Sequence, residues 1–189
     1  MKLIELLKKR RSYYAIDDNI KVSQDEIIKT VEEITALIPD AFNSKSQYVV
    51  LALGEHHKKL WDAAYDAFGG KVAREKIDSF KAGAGTILFF SNTEIVKGLE
   101  EKFPRYKENF KPWSQQANAM LQINIWTALR EMGLGASLQH YNPVIDKKVR
   151  EMFQIEPKYQ LLAQMVFGNI LEEPAPKGED TPKRVKVFK

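Results

Sequence analysis

The apolar positions of this chain fall into two periods. Leu3, Ile4, Leu6 and Leu7 lie on one face of a short first helix that ends in the basic run Lys8–Arg11. Ser23-Gln24-Asp25-Glu26 is a capping box, in which Ser and Glu side chains satisfy orphan backbone donors. The spacing of Ile27, Ile28, Val31, Ile34 and Leu37 after it predicts a helix that Pro39 punctuates. Tyr48–Leu53 reads as a buried strand by length and composition, and Thr86–Phe90 as a second. Between them a helix is expected over 55–68, stopped by Gly69-Gly70. Pro104–Pro112 reads as irregular with short helical turns. A helix follows over 112–129, closed by Gly133 and Gly135 as C-terminal caps. A short strand at 136–139, a helix over 144–153 after Asn142-Pro143, and a strong strand at 161–167 complete the body. The tail ends in Arg184-Val185-Lys186-Val187-Phe188, a short alternating strand pattern.

Helices and strands mix without strict βαβ alternation. That argues an α+β fold with a mainly antiparallel or mixed central sheet, flanking helices and a long central helix. At 189 residues a single domain, 1–189, is expected. The segment Pro112–Leu129 contains no charged residue. Its amides, Gln115, Gln116, Asn118, Gln122 and Asn124, are costly in hydrocarbon, so it reads as a helix buried in protein at a domain centre or subunit interface. No membrane segment is expected. The apolar stretch of Met1–Arg11 is broken by Glu5 and ends at Lys8, too short for an export signal. The tail is too polar to make its own core, and is expected to pair with another surface, such as a partner subunit's sheet edge.

Composition narrows the chemistry. With no cysteine there is no disulfide, zinc-thiolate site, iron–sulfur cluster or thiol nucleophile, which fits a reducing, cytoplasmic compartment. A net charge of +4 is a mild excess that suits anionic small molecules. The cations lie at the chain ends with no aromatic platform, which disfavours nucleic acid as a partner. His56 and His57 are adjacent and point to different helix faces, so they make no metal site, and a solvated helix start is the expectation for them. Gly83-Ala84-Gly85 precedes a strand instead of following one and reads as a tight turn. Arg10, Arg11 and Ser12 offer two guanidinium forks and a hydroxyl, donors suited to phosphate. No acid–base machinery appears, and a bound cofactor that does its own chemistry would suit this inventory.

Four segments, taken in order, resemble the flavin-dependent nitroreductase family: Arg10-Arg11-Ser12, Pro39–Ser46, Trp126–Pro143, and Glu172-Glu173-Pro174-Ala175-Pro176-Lys177. With Trp113-Ser114 and the tail Arg184–Phe188, the third looks most like the fatty-acid-repression-mutant-like branch. The resemblance covers essentially the whole chain. It implies a nitroreductase-like α+β fold and a homodimer binding FMN at the subunit interface. The charge-free helix would form the dimer core, and the C-terminal tail strand would be exchanged with the partner.

The implied roles fall on particular residues. Arg10, Arg11 and Ser12 match the motif holding the FMN phosphate and ribityl chain, and Lys177 matches a tail lysine that reaches the phosphate. Asn43 matches a loop asparagine near the cofactor, in a loop commonly contributed by the other subunit. Gln139 and His140 fall where the backbone approaches the flavin around N5. Three positions depart from the pattern. Asn43-Ser44-Lys45 replaces Asn-x-Gln and would put the Lys45 cation near the flavin. Glu179 stands where an arginine is common, so Lys183 or Arg184 would substitute. Tyr14 stands where many relatives carry a basic residue. The implied activity is an NAD(P)H oxidoreductase working by ping-pong hydride transfer through flavin N5, with NADH or NADPH as reductant. Nitroaromatics or quinones are the acceptors, and Phe110, Trp113 and Tyr141 are candidates for stacking them. The alternative is a flavin-holding regulatory protein of the same fold with incidental turnover.

Overall fold

The computed structural model describes residues 2–176 and 184–189. Lys177, Glu179 and Lys183 of the expected phosphate site lie outside the described residues. Five strands form one sheet: β1 (Ile16–Asp17), β2 (Gln47–Leu53), β3 (Gly85–Asn92), β4 (Leu134–Gln139) and β5 (Tyr159–Ile170). β3 pairs with β2 and β5, and β5 pairs also with β4 and β1, all antiparallel. A lone parallel bridge joins Ser12 to Ala136. The helices are α1 (Leu3–Lys9), α2 (Gln24–Leu37), α3 (Gly54–Phe68), α4 (Arg74–Lys81), α5 (Thr93–Lys102), α6 (Lys107–Glu131) and α7 (Asp146–Phe153).

β3 explains the layers. Its Leu88 and Phe90 join one core, with Trp61, Phe68, Ile77, Phe80, Ile145 and Val149 from α3, α4 and the α7 region. Its Ile87 and Phe89 join the other, with Ile27 and Val31 of α2 and Leu121, Ile125 and Leu129 of α6. Successive side chains point to opposite faces, so a strand covered on both sides is apolar throughout instead of alternating. That is why Thr86–Phe90 reads as a continuous apolar run. Thr86 is the polar member. It is buried, and its hydroxyl bridges Trp61 Nε1 (2.9 Å) and His57 Nδ1 (2.8 Å).

Several expectations are corrected. Ser23 caps α2 as expected, accepting from the Glu26 N–H. The stretch from Pro104 is one 3-10 turn, and α6 begins at Lys107 and runs through Pro112. Proline removes one backbone donor, but burial of Phe110 and Ser114 on either side holds the helical path. Gly133 ends α6 with φ of 85°, whereas Gly135 is no cap. It sits in β4 with its Cα against Tyr13, where an added Cβ would lie 2.8 Å from Tyr13 Cβ. His57 is fully buried while His56 is exposed, so only one of the pair is solvated. α4 and α5 have no counterpart in the periodicity reading, since each is short and mostly charged on its open face.

Among the described residues, apolar side chains stand uncovered on α1 and on α6. Leu3 and Ile4 of α1 are each 63% exposed, and on α6 Met120 and Ile123 stand open among uncharged neighbours. The charge-free helix is thus buried along one face, against the sheet, and open along the other. Arg184–Phe188 forms no strand with the described residues and is exposed. No helix among the described residues is long and apolar enough to cross a membrane.

Candidate functional site

Arg10, Arg11 and Ser12 follow α1 and come against the start of β4. Ser12 bridges Ala136, and the Ala136 carbonyl accepts from Tyr13 N (3.0 Å) and Trp126 Nε1 (3.2 Å). The chain leaving β5 returns to the same place. Together Arg10–Ala15 and Glu172–Pro176 line a pocket of about 620 Å³. The Arg10 guanidinium lies 4.2 Å over the ring of Trp126, and burial pulls its pKa down, with Arg11 adding to the effect. Arg11 Nη2 donates to the Ala175 carbonyl (2.8 Å), leaving its other donors available. Two guanidinium groups and a hydroxyl on one wall match a dianionic phosphate in charge and in donor geometry. The donor set expected from the sequence is therefore assembled as far as Pro176, the last described residue before Lys177.

Gln139 and His140 lie at the far end of β4 from this pocket. From Ala136 to His140 an extended chain covers about 13 Å at roughly 3.3 Å per residue. His140 is exposed, and Gln139 Nε2 donates to Ser137 Oγ (3.1 Å). The next peptide is fixed by the buried Gln164, whose Oε1 accepts from Tyr141 N (2.8 Å).

Asn43 and Lys45 occupy a separate place. They sit on the Pro39–Ser46 loop at the end of the groove between α2 and β2, a space of about 650 Å³. Phe42, Asn43 and Lys45 have φ of 58°, 50° and 52°. Asn tolerates that left-handed backbone, while a bulky residue such as Phe does not without compensation. The compensation is visible. Asp40 Oδ2 accepts from Ser46 N (2.9 Å) and Ser46 Oγ (2.7 Å), closing the loop on itself. Ser46 meets Ser114 of α6 at 3.2 Å, and Ser114 meets Ser91 at 2.6 Å. Asn118 Nδ2 donates to Gln47 Oε1 (2.6 Å), and Gln122 Nε2 to Asn118 Oδ1 (2.6 Å). Two of the five α6 amides, Asn118 and Gln122, thus belong to a network that reaches β2 beside the loop, whereas Gln115, Gln116 and Asn124 are exposed.

Phe42 completes a set of aromatic contacts. Its ring meets Phe103 (4.8 Å), Phe110 (5.2 Å) and Trp113 (6.1 Å, nearly stacked). Phe110 is buried beneath, and Trp113 is half-buried beside a shallow apolar recess shared with Gln116 and Met120. Tyr141 does not join them. Its ring packs edge-on to Trp61 and Phe68 in the opposite core, so it presents no free face to a flat acceptor.

The described residues therefore hold two separate clusters of the expected site residues. Arg10–Ser12 lie near Trp126, and the loop lies near Trp113, so the two are separated along α6 by about 20 Å at 1.5 Å per residue. Arg184 is exposed and belongs to neither cluster.

A family model, that of the nitroreductase family, matches residues 7–169. The Saccharomyces cerevisiae protein HBN1 is 33% identical over 181 residues, covering 94% of this chain and 91% of its own. The nitroreductase FRM2 of the same yeast is 30% identical over 168 residues, covering 87% of this chain and 86% of its own. Among solved structures, the nitroreductase CinD from Lactococcus lactis in complex with chloramphenicol superposes with a TM-score of 0.90. It is 39% identical, and the match covers 100% of both chains.

Proposed function

The chain belongs to the nitroreductase family and is an oxidoreductase of that type, and on this premise we propose that it is an FMN-dependent NAD(P)H oxidoreductase of nitroaromatic or quinone acceptors. The observation that carries the reading is the pocket of Arg10, Arg11 and Ser12 against Glu172–Pro176. FMN held by Arg10, Arg11 and Ser12 would supply the redox chemistry of the site, a ping-pong hydride transfer through flavin N5 between NADH or NADPH and the acceptor.

The chain's own residues bind and orient. Arg10 and Arg11 neutralise the phosphate, with Ser12 as a hydroxyl donor and Lys177 as a tail cation. The turn at Gln139-His140 offers donors where negative charge develops at the ring edge, the arrangement that favours a reduced state. Asn43 and Lys45 close the site from a second subunit, and Phe110 and Trp113 back the acceptor. CinD has been solved with chloramphenicol and with 4-nitrophenol, which supports flat nitroaromatics as acceptors for this chain too.

The separation of these two clusters supports a homodimer. One copy cannot bring them together across α6. A second copy packed antiparallel along the open, uncharged face of α6 would set the loop of one subunit beside the arginines of the other. The uncovered Leu3, Ile4, Met120 and Ile123 support that interface. The tail strand Arg184–Phe188 then has a partner edge to join, and β2, an edge strand beside an open groove, offers one. A cytoplasmic setting suits both the reductant and a cysteine-free chain.

The test is the visible absorption spectrum of the purified protein before and after anaerobic NADH or NADPH. Flavin bands that bleach are expected. A colourless protein that takes up no added FMN would overturn the proposal.

A further inference from the structure

β1 and β5 pair as Ile16↔Ile170 and Asp17↔Asn169. Beyond Ile170 the strand ends, yet the register continues at every second residue. Leu171 N donates to the Ala15 carbonyl at 3.0 Å. Tyr13 Oη donates to Glu173 Oε2 at 2.9 Å. Arg11 Nη2 donates to the Ala175 carbonyl at 2.8 Å. The last two ties use side chains where a sheet would use backbone. Tyr13 N is already committed elsewhere, to the Ala136 carbonyl.

Glu173 is the anomalous member of this ladder. It lines a pocket whose other walls are suited to an anion, where an uncompensated carboxylate would repel phosphate. It is compensated: the Tyr13 hydroxyl binds one oxygen, and Arg130 Nη2 stands 3.8 Å from the other. Arg130 is itself mostly enclosed, with its guanidinium 5.5 Å over the Tyr13 ring.

We propose that Glu173 is a positioning residue: through Tyr13 and Arg130 it latches the chain leaving β5 across Arg10–Ser12, and so gives this pocket its preference for a ligand carrying a phosphate. The inference rests on the reading that the pocket takes the phosphate of FMN. It makes a counterintuitive prediction of sign. Charge alone says that removing a carboxylate from an anion pocket tightens phosphate binding. The latch says that binding weakens.

The experiment measures the Kd of FMN and of riboflavin, which lacks the phosphate, by flavin fluorescence on the flavin-depleted full chain. Glu173→Gln and Tyr13→Phe are compared with wild type. Glu173 is largely exposed and Tyr13→Phe keeps the packed ring, so both variants retain the fold. Each is expected to weaken FMN about fivefold or more, the loss of one hydrogen bond to a charged group, while riboflavin changes less than about twofold. Glu173→Asp should recover part of the discrimination. An unchanged or tightened FMN Kd overturns the latch, and so does an equal loss for FMN and riboflavin, which would mean general loosening. Wild type that binds neither flavin overturns instead the reading on which the latch rests.

Discussion

The guanidinium of Arg10 lies 4.2 Å over the indole of Trp126, and the same indole N–H reaches the Ala136 carbonyl to which Tyr13 N also bonds. The cation at the expected phosphate site is therefore fixed by α6 and β4 together. Arg10→Ala should lower FMN affinity by about tenfold or more, the scale of one lost charge-assisted bond. Equilibrium dialysis against FMN measures it. A variant that purifies with the flavin content of wild type would remove Arg10 from the clamp.

Asp40 holds a loop containing three left-handed residues, accepting two hydrogen bonds from Ser46. Asp40→Ala frees that backbone and leaves the buried Ser46 hydroxyl with Ser114 and Gln47. Urea denaturation should show a loss of about 1–3 kcal/mol. Flavin affinity should fall with it, because Asn43 and Lys45 lose their fixed conformation. Full stability with full flavin affinity would show that the loop holds its shape without Asp40.

His57 gives the protein an acid limit. Burial is the main cause that lowers its pKa from 6.5 to about 4, and its ring is fully enclosed. The unfolded chain therefore binds a proton near pH 6.5 that the folded chain refuses until about pH 4. Stability contributed by the neutral ring is complete above pH 6.5 and is lost as pH falls through that window, to a total of about 3 kcal/mol at 1.36 kcal/mol per unit. Asp146, whose carboxyl burial pushes up, acts in the opposite sense at the acid end. Denaturation midpoints at half-unit intervals from pH 7.5 to 4 test this. A flat profile would mean that His57 titrates normally.

Ile123 stands on the open, uncharged face of α6. Ile123→Lys should convert a dimer to monomers in sedimentation and should lose FMN in the same step. A monomer that keeps its flavin would contradict a site shared between subunits.

The sequence is most informative where one physical rule acts alone. The apolar run Thr86–Phe90 needs only burial on both faces, and the Ser23 cap only one donor. Arg10-Arg11-Ser12 and Glu172–Pro176, both singled out by the family resemblance, line one pocket. It is least informative where a side chain has two possible uses. Tyr141 looks available for stacking, yet its ring packs edge-on against Trp61 and Phe68 of α3. His57 differs from His56 by facing the core, where it meets Thr86, 29 residues away. Asn118 of α6 and Glu173 are legible only in three dimensions, because their partners Gln47, Phe90, Tyr13 and Arg130 are far away in the sequence.

The span of about 20 Å along α6 between the two clusters also has a genetic consequence. If each site draws its arginines from one subunit and its Asn43 loop from the other, damage at the two positions is separable. Mixed dimers of an Arg10→Ala chain and an Asn43→Ala chain would carry one doubly damaged site and one wholly intact site. Two inactive alleles of this protein would then complement each other within a single molecule, up to half of normal function per mixed dimer.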